Sequence, residues 1–179
     1  MNRSAFTLVE VLVVVAILLI LLGLGIAYGP GMLAVSEEAQ TRTILKNLKL
    51  INAEYEALVG EPVQAAGMSE FLQVVMSDEH FADLVAAFDD KVMHREDPTD
   101  DTSAWQIYDA WGNAIRYVAQ AGAYPTCPQM DFAYFTSAGP DGQWGDHREF
   151  VKRFAGEAHD ADLAAQAADN LYTFGWDAR

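Results

Sequence analysis

The chain is poor in three things, and each shortage removes a class of function. It has a single cysteine, Cys127, so no intrachain disulfide framework is possible. It has only 11 Lys and Arg against 26 Asp and Glu, a net charge of −15, which excludes a nucleic-acid binder that relies on cationic contacts to phosphate. Spaced metal-binding and nucleophile motifs are also missing. His80, His94, His147 and His159 form no H-E-x-x-H pattern, and no G-x-S-x-G elbow or phosphate-binding Gly loop is present. These patterns give catalysis little support, so the expectation is a non-enzymatic protein, and the length fits one modest domain with an appendage.

What the chain does have is a long uncharged run. No charged residue lies between Val11 and Ser36, and V-L-V-V-V-A-I-L-L-I-L-L-G-L-G-I-A is wholly apolar or Gly. A chain of 179 residues seldom spends such a segment on a core helix, so it reads as a membrane span. Arg3 is the only charge before Glu10, which argues for a cytoplasmic N-terminus and a bulk on the far side. The segment from Ala27 to Gly31 could imitate a secretory cleavage site. Against that reading stands Glu10, because a carboxylate inside an apolar helix costs about 2.5 to 3.5 kcal/mol at the bilayer centre and less near its edge. A chain that keeps it gains something from it.

The order Ala5, Phe6, Thr7, Leu8, Val9, Glu10 and then the apolar run resembles the class III signal of type IV pilins and type II secretion pseudopilins. The resemblance implies that prepilin peptidase cuts between Ala5 and Phe6, that Phe6 becomes the N-methylated terminus, and that Glu10 serves filament assembly. Ala5 stands where that family most often has Gly.

Gly29, Pro30 and Gly31 predict a kink or a melted turn near the outer end of the span. Beyond it, Ile44, Leu48, Ile51, Tyr55 and Leu58 fall on one helical face, with Gly60 and Pro62 closing the helix. Residues 65–88 read as one or two helices, the second capped by Ser77. Residues 89–103, with Glu96, Asp97, Asp100 and Asp101, read as a solvated loop. Aromatic and β-branched residues then mark strands at 105–108, 114–119, 132–137 and 171–176, with an Ala-rich helical stretch before the last. The expected organisation is a leader at 1–5, a transmembrane helix at 6–28, its continuation at 29–60, a helical and acidic region at 61–103, and a β-sheet region at 104–179. This is an α+β, pilin-like fold, a long helix packed on a small antiparallel sheet.

Asp109, Trp111, Gly112, Asn113 and Tyr117 resemble the D-x-W-G-N-x-x-x-Y hairpin of major pseudopilins. Phe135, Ser137, Gly139, Pro140, Asp141, Gly142, Gly145 and Asp146 resemble their following strand and loop, and Asp169, Asn170, Leu171, Tyr172 and Phe174 their closing strand. The resemblance implies a calcium ion at that loop: Asp141 and Asp146 supply two carboxylates, a further ligand has to come from Asp160, Asp162, Asp169 or Asn170, and the expected set is Asp141, Asp146, Asp169, Asn170 and Ser137. Calcium takes six to eight oxygen ligands, and a Gly-rich loop can turn main-chain carbonyls inward while Asp neutralises charge. The same residues also compose an ordinary Pro-Asp-Gly turn without an ion, and both readings stand at the level of sequence. The resemblance further implies the partners: further copies of the chain, prepilin peptidase, minor pseudopilins, an inner-membrane assembly platform and lipid. The function implied is a periplasmic filament subunit for protein export. A type IV or competence pilin is the alternative, and from another class a signal-anchored periplasmic enzyme or binding domain.

Overall fold

The structure, a computed structural model, describes residues 8–119, 130 and 132–173, leaving aside the side chains of 24–34 and 154. The chain divides into two compact units, the first ending at Glu37 and the second starting at Glu38. Helix α1 (Leu8–Val59) contributes to both.

In the first unit the described side chains from Leu8 to Leu22 are exposed, the large apolar ones by 48% to 80%. Among the described residues no helix is long and apolar enough to cross a membrane. The expected span at 6–28 lies partly outside them. The expected melted turn is corrected, since the backbone is helical through 29–31. Pro fixes φ near the helical value and removes one backbone donor, so between well-formed turns it costs a rung of the ladder rather than the helix.

The second unit begins with the outer part of α1, whose Ile44, Leu45, Leu48 and Ile51 are buried. Leu58 is 68% exposed, so the apolar stripe ends at the partly buried Tyr55. It lies one residue from the helix end, and the chain leaves at Gly60 without covering it. Helices α2 (Met68–Val75) and α3 (Glu79–Ala86) add Met68, Phe71, Leu72 and Val75, then Phe81 and Val85, each at helical spacing. The cap of α3 is Asp78, which accepts from His80 N at 2.9 Å, while Ser77 Oγ donates back to Val74 O.

Strand β1 (Met93–Arg95) was not expected in the acidic loop. It pairs antiparallel with β2 (Trp105–Ile107), joining Met93 to Ile107 and Arg95 to Trp105. Between the two strands, Asp97 and Asp100 each accept from the amide and hydroxyl of the threonine two residues on, and the segment stays solvated. A second sheet has the order β3 (Arg116–Val118), β4 (Tyr134–Ser137), β5 (Leu171–Tyr172), all antiparallel. A single bridge, Tyr108 to Ala114, links the two sheets across the Asp109–Asn113 turn. Phe71 lies 4.8 Å from Tyr117 and 5.0 Å, edge-on, from Phe135, so α2 is seated on the second sheet by aromatic packing. Tyr117 donates its hydroxyl to Val63 O at 2.6 Å, and burial pushes its pKa up to about 12. Between β4 and β5 come a Gly-rich loop and two helices, α4 (His147–Ala155) and α5 (Ala161–Gln166), the first of them unexpected from sequence.

Candidate functional site

Two regions carry the chemistry expected from sequence. Ala5 and Phe6 lie outside the described residues. Glu10 sits in the first turn of α1, exposed, amid exposed apolar side chains on every side of the helix.

The second region is the loop that leaves β4 at Ser137. Its path is set by glycines in the left-handed region that leave no room for a side chain. At Gly139 (φ 76°) a Cβ would lie 2.5 Å from Asp169 O, and at Gly145 (φ 53°) one would lie 2.4 Å from Leu163 O. The loop is thereby pressed against the segment 163–170 that leads into β5. Asp141 N donates to Asp169 Oδ2 at 3.4 Å, and Asp141 Oδ1 accepts from Gln143 N at 2.7 Å. Asn170 Nδ2 donates to Trp144 O at 2.9 Å and to the Tyr172 hydroxyl at 3.3 Å. The Trp144 ring in turn carries the Arg116 guanidinium 3.8 Å from its centre, which ties the loop to β3.

Two buried oxygens of this region, Asp169 Oδ1 and Asn170 Oδ1, have no hydrogen-bond donor among the described residues. Leaving such an acceptor unmet costs about 1 to 3 kcal/mol. Burial raises the pKa of Asp169 first, and the neighbouring Asp141 charge adds to it. Unmet carboxylate and amide oxygens of this kind are the ligands that a hard cation takes.

The other two expected ligands are occupied elsewhere. Asp146 caps α4 by accepting from Arg148 N at 2.9 Å, and its second oxygen meets Arg148 Nη2 at 2.9 Å. The Arg148 hydrogen bond holds its pKa below the usual carboxylate range. Ser137 Oγ donates to Asp109 Oδ2 at 2.6 Å and accepts from Gly139 N at 3.1 Å. The structure thus brings Asp141 and Asp169 together, with Asn170 next to Asp169 in the chain, and turns Asp146 and Ser137 to other partners. Among the described residues no group of three or more His, Cys, Asp and Glu gathers to hold a metal ion.

Asp109 is the residue sequence reading placed only in a turn. It is buried, and accepts at Oδ1 from Trp111 N (3.0 Å) and Asn113 N (2.8 Å) and at Oδ2 from Ser137. Burial pushes its pKa up, and these hydrogen bonds pull against that. The available signal was the Asp followed by Asn four residues on, an arrangement that closes a turn on the carboxylate.

Residues 1–26 match the family model described as the prokaryotic N-terminal methylation motif. The match supports a type IV pilin-like N-terminus of the kind that prepilin peptidase processes, that anchors its protein in a membrane and that assembles into filaments. It ends inside the apolar run, before the second unit begins. No curated protein and no solved structure matches the chain significantly.

Proposed function

We propose that the chain is a structural subunit, a pseudopilin of a type II secretion system. In this reading prepilin peptidase cuts between Ala5 and Phe6 at the cytoplasmic face of the inner membrane, and Phe6 is methylated. The apolar run then holds the subunit in the bilayer, with the second unit in the periplasm. Subunits polymerise into a short periplasmic filament that serves protein export, together with minor pseudopilins and an inner-membrane platform. The observation that carries the proposal is the methylation motif at residues 1–26, followed by one helix whose outer part enters the core of an α+β unit. The D-x-W-G-N hairpin and the Gly/Asp loop favour the pseudopilin over a pilus pilin, as does the lone Cys127, which cannot close a C-terminal disulfide loop.

In lipid the cheapest partner for the Glu10 carboxylate is a cation at the same depth, and the freed amine of Phe6 on a neighbouring subunit is one. Charge pairing then sets the stagger while apolar packing holds the bundle. Calcium belongs to the same reading, with Asp169, Asn170 and Asp141 as the side chains that would hold it. Their oxygens have the right hardness, and two of them lack a donor among the described residues. Bound there, the ion would offset the Asp141 and Asp169 charges.

The test is electron microscopy of membranes from cells overproducing the full chain. Wild type should form filaments, and Glu10→Leu should be cleaved and inserted but form none. Filaments of normal number from Glu10→Leu would refute the pairing, and their absence from wild type would remove the filament reading.

A further inference from the structure

Gly139 opens the candidate cation loop, and both polar groups of its backbone are bonded to side chains, while its C=O also accepts from Gly142 N at 3.3 Å within the loop. Its N–H is accepted by Ser137 Oγ at 3.1 Å, and its C=O accepts from Asn113 Nδ2 at 2.9 Å. Ser137 and Asn113 share one further partner. Asp109 Oδ2 takes the Ser137 hydroxyl proton, and Asp109 Oδ1 takes the Asn113 main-chain N–H. On the other side, Gly139 is pressed on the carbonyl of Asp169, whose buried Oδ1 lacks a donor among the described residues.

An ionised carboxylate only accepts, so the hydroxyl of the fully buried Ser137 must donate to it. That orientation leaves the Ser137 lone pairs facing Gly139 N. An amide at position 109 would present an N–H to Ser137 instead, and the hydroxyl proton would lose its acceptor in a buried place. Among the described residues the charge of Asp109 is met by neutral N–H and O–H groups, so in this arrangement it serves to orient donors rather than to pair with a cation.

We infer that Asp109 is a positioning residue: acting through Ser137 and Asn113, it fixes Gly139 and so sets the Asp141, Asp169 and Asn170 oxygens for a divalent cation. The hairpin between the two sheets thereby controls the affinity of a site to which it contributes no ligand. The cation part of this inference rests on the calcium reading above; the loop part does not.

The experiment uses the full chain in detergent, wild type and Asp109→Asn, with Ser137→Ala as the second variant should the first fail to fold. Amide hydrogen exchange is followed over the peptide 138–146 in chelator, with the peptide 68–75 of α2 as the internal reference. Calcium affinity is measured by titration. Loss of one relay bond corresponds to roughly a tenfold change in an equilibrium constant. Exchange over 138–146 should therefore speed up about tenfold without change at 68–75, and calcium should bind roughly tenfold more weakly. Unchanged loop exchange in whichever variant folds overturns the inference. A looser loop with unaltered calcium affinity overturns the coupling to the site. A looser loop in a protein whose wild type binds no calcium supports the positioning of the loop and refutes the calcium reading.

Discussion

Asp141 and Asp169 face each other across a tight loop with too few donors, and that is where a cation would be felt most. An ion that binds only the folded state stabilises it, by about 2.7 kcal/mol at a hundredfold excess over Kd. For a chain of this size the melting temperature of the full chain in detergent should then rise by several degrees between chelator and calcium. Asp169→Ala should abolish the difference. Asp101→Ala, in the solvated acidic segment, should leave it intact; an equal loss in both variants would mean that calcium acts on bulk charge. A second titration belongs to His147, buried between Phe150 and Tyr172 at the start of α4. Burial depresses its pKa, against a smaller opposing pull from Asp146. The folded state therefore keeps it neutral while the unfolded chain takes up a proton near pH 6.5. Its contribution is complete above that value and is lost as pH falls through it toward the depressed folded pKa. Melting temperature should drop between about pH 7.5 and about pH 5.5, and His147→Gln should flatten the slope. An identical slope in the variant would assign the effect to other groups.

The elements show where periodicity could be read and where it could not. The stripe Ile44, Leu48, Ile51 and the patches of α2 and α3 were legible because apolar residues recur at helical spacing over several turns. Strands β2 to β4 were legible through their aromatic and β-branched content. Strand β1 was not, since three residues flanked by charge carry no alternation worth counting, and its partner β2 lies beyond the mostly polar segment 96–104. Helix α4 was missed because His147 to Ala155 is rich in charge, although Asp146 with Glu149 three residues on is the pattern of a capping box. Asp146, expected among the ligands of the loop, is in the structure the cap of this helix, a role that composition alone does not reveal. Leu58 marks the opposite error: its spacing continued the stripe, but burial needs a covering element, and none lies over it among the described residues. Chemical denaturation of the full chain can weigh this difference. Phe71→Ala, which removes the ring between Tyr117 and Phe135, should cost about 3 to 5 kcal/mol. Leu58→Ala should stay within about 0.5 kcal/mol. Comparable losses at both positions would place Leu58 in a core that the structure leaves it out of.

For the molecule as a whole, a net charge of −15 sets a condition on assembly. Like-charged subunits repel, with a range of about 8 Å at physiological ionic strength, so cohesion in a polymer has to come from elsewhere. The exposed apolar side chains of the first unit are the evident source, because isolated they would bury nothing. That account depends on the N-terminus being made for a membrane and then for a filament, and the intact mass of the protein extracted from membranes tests it most directly. The mature chain should begin at a methylated Phe6, having lost Arg3 with the leader. A terminus after Ala27 or Gly31, as ordinary secretory cleavage would leave, would contradict it.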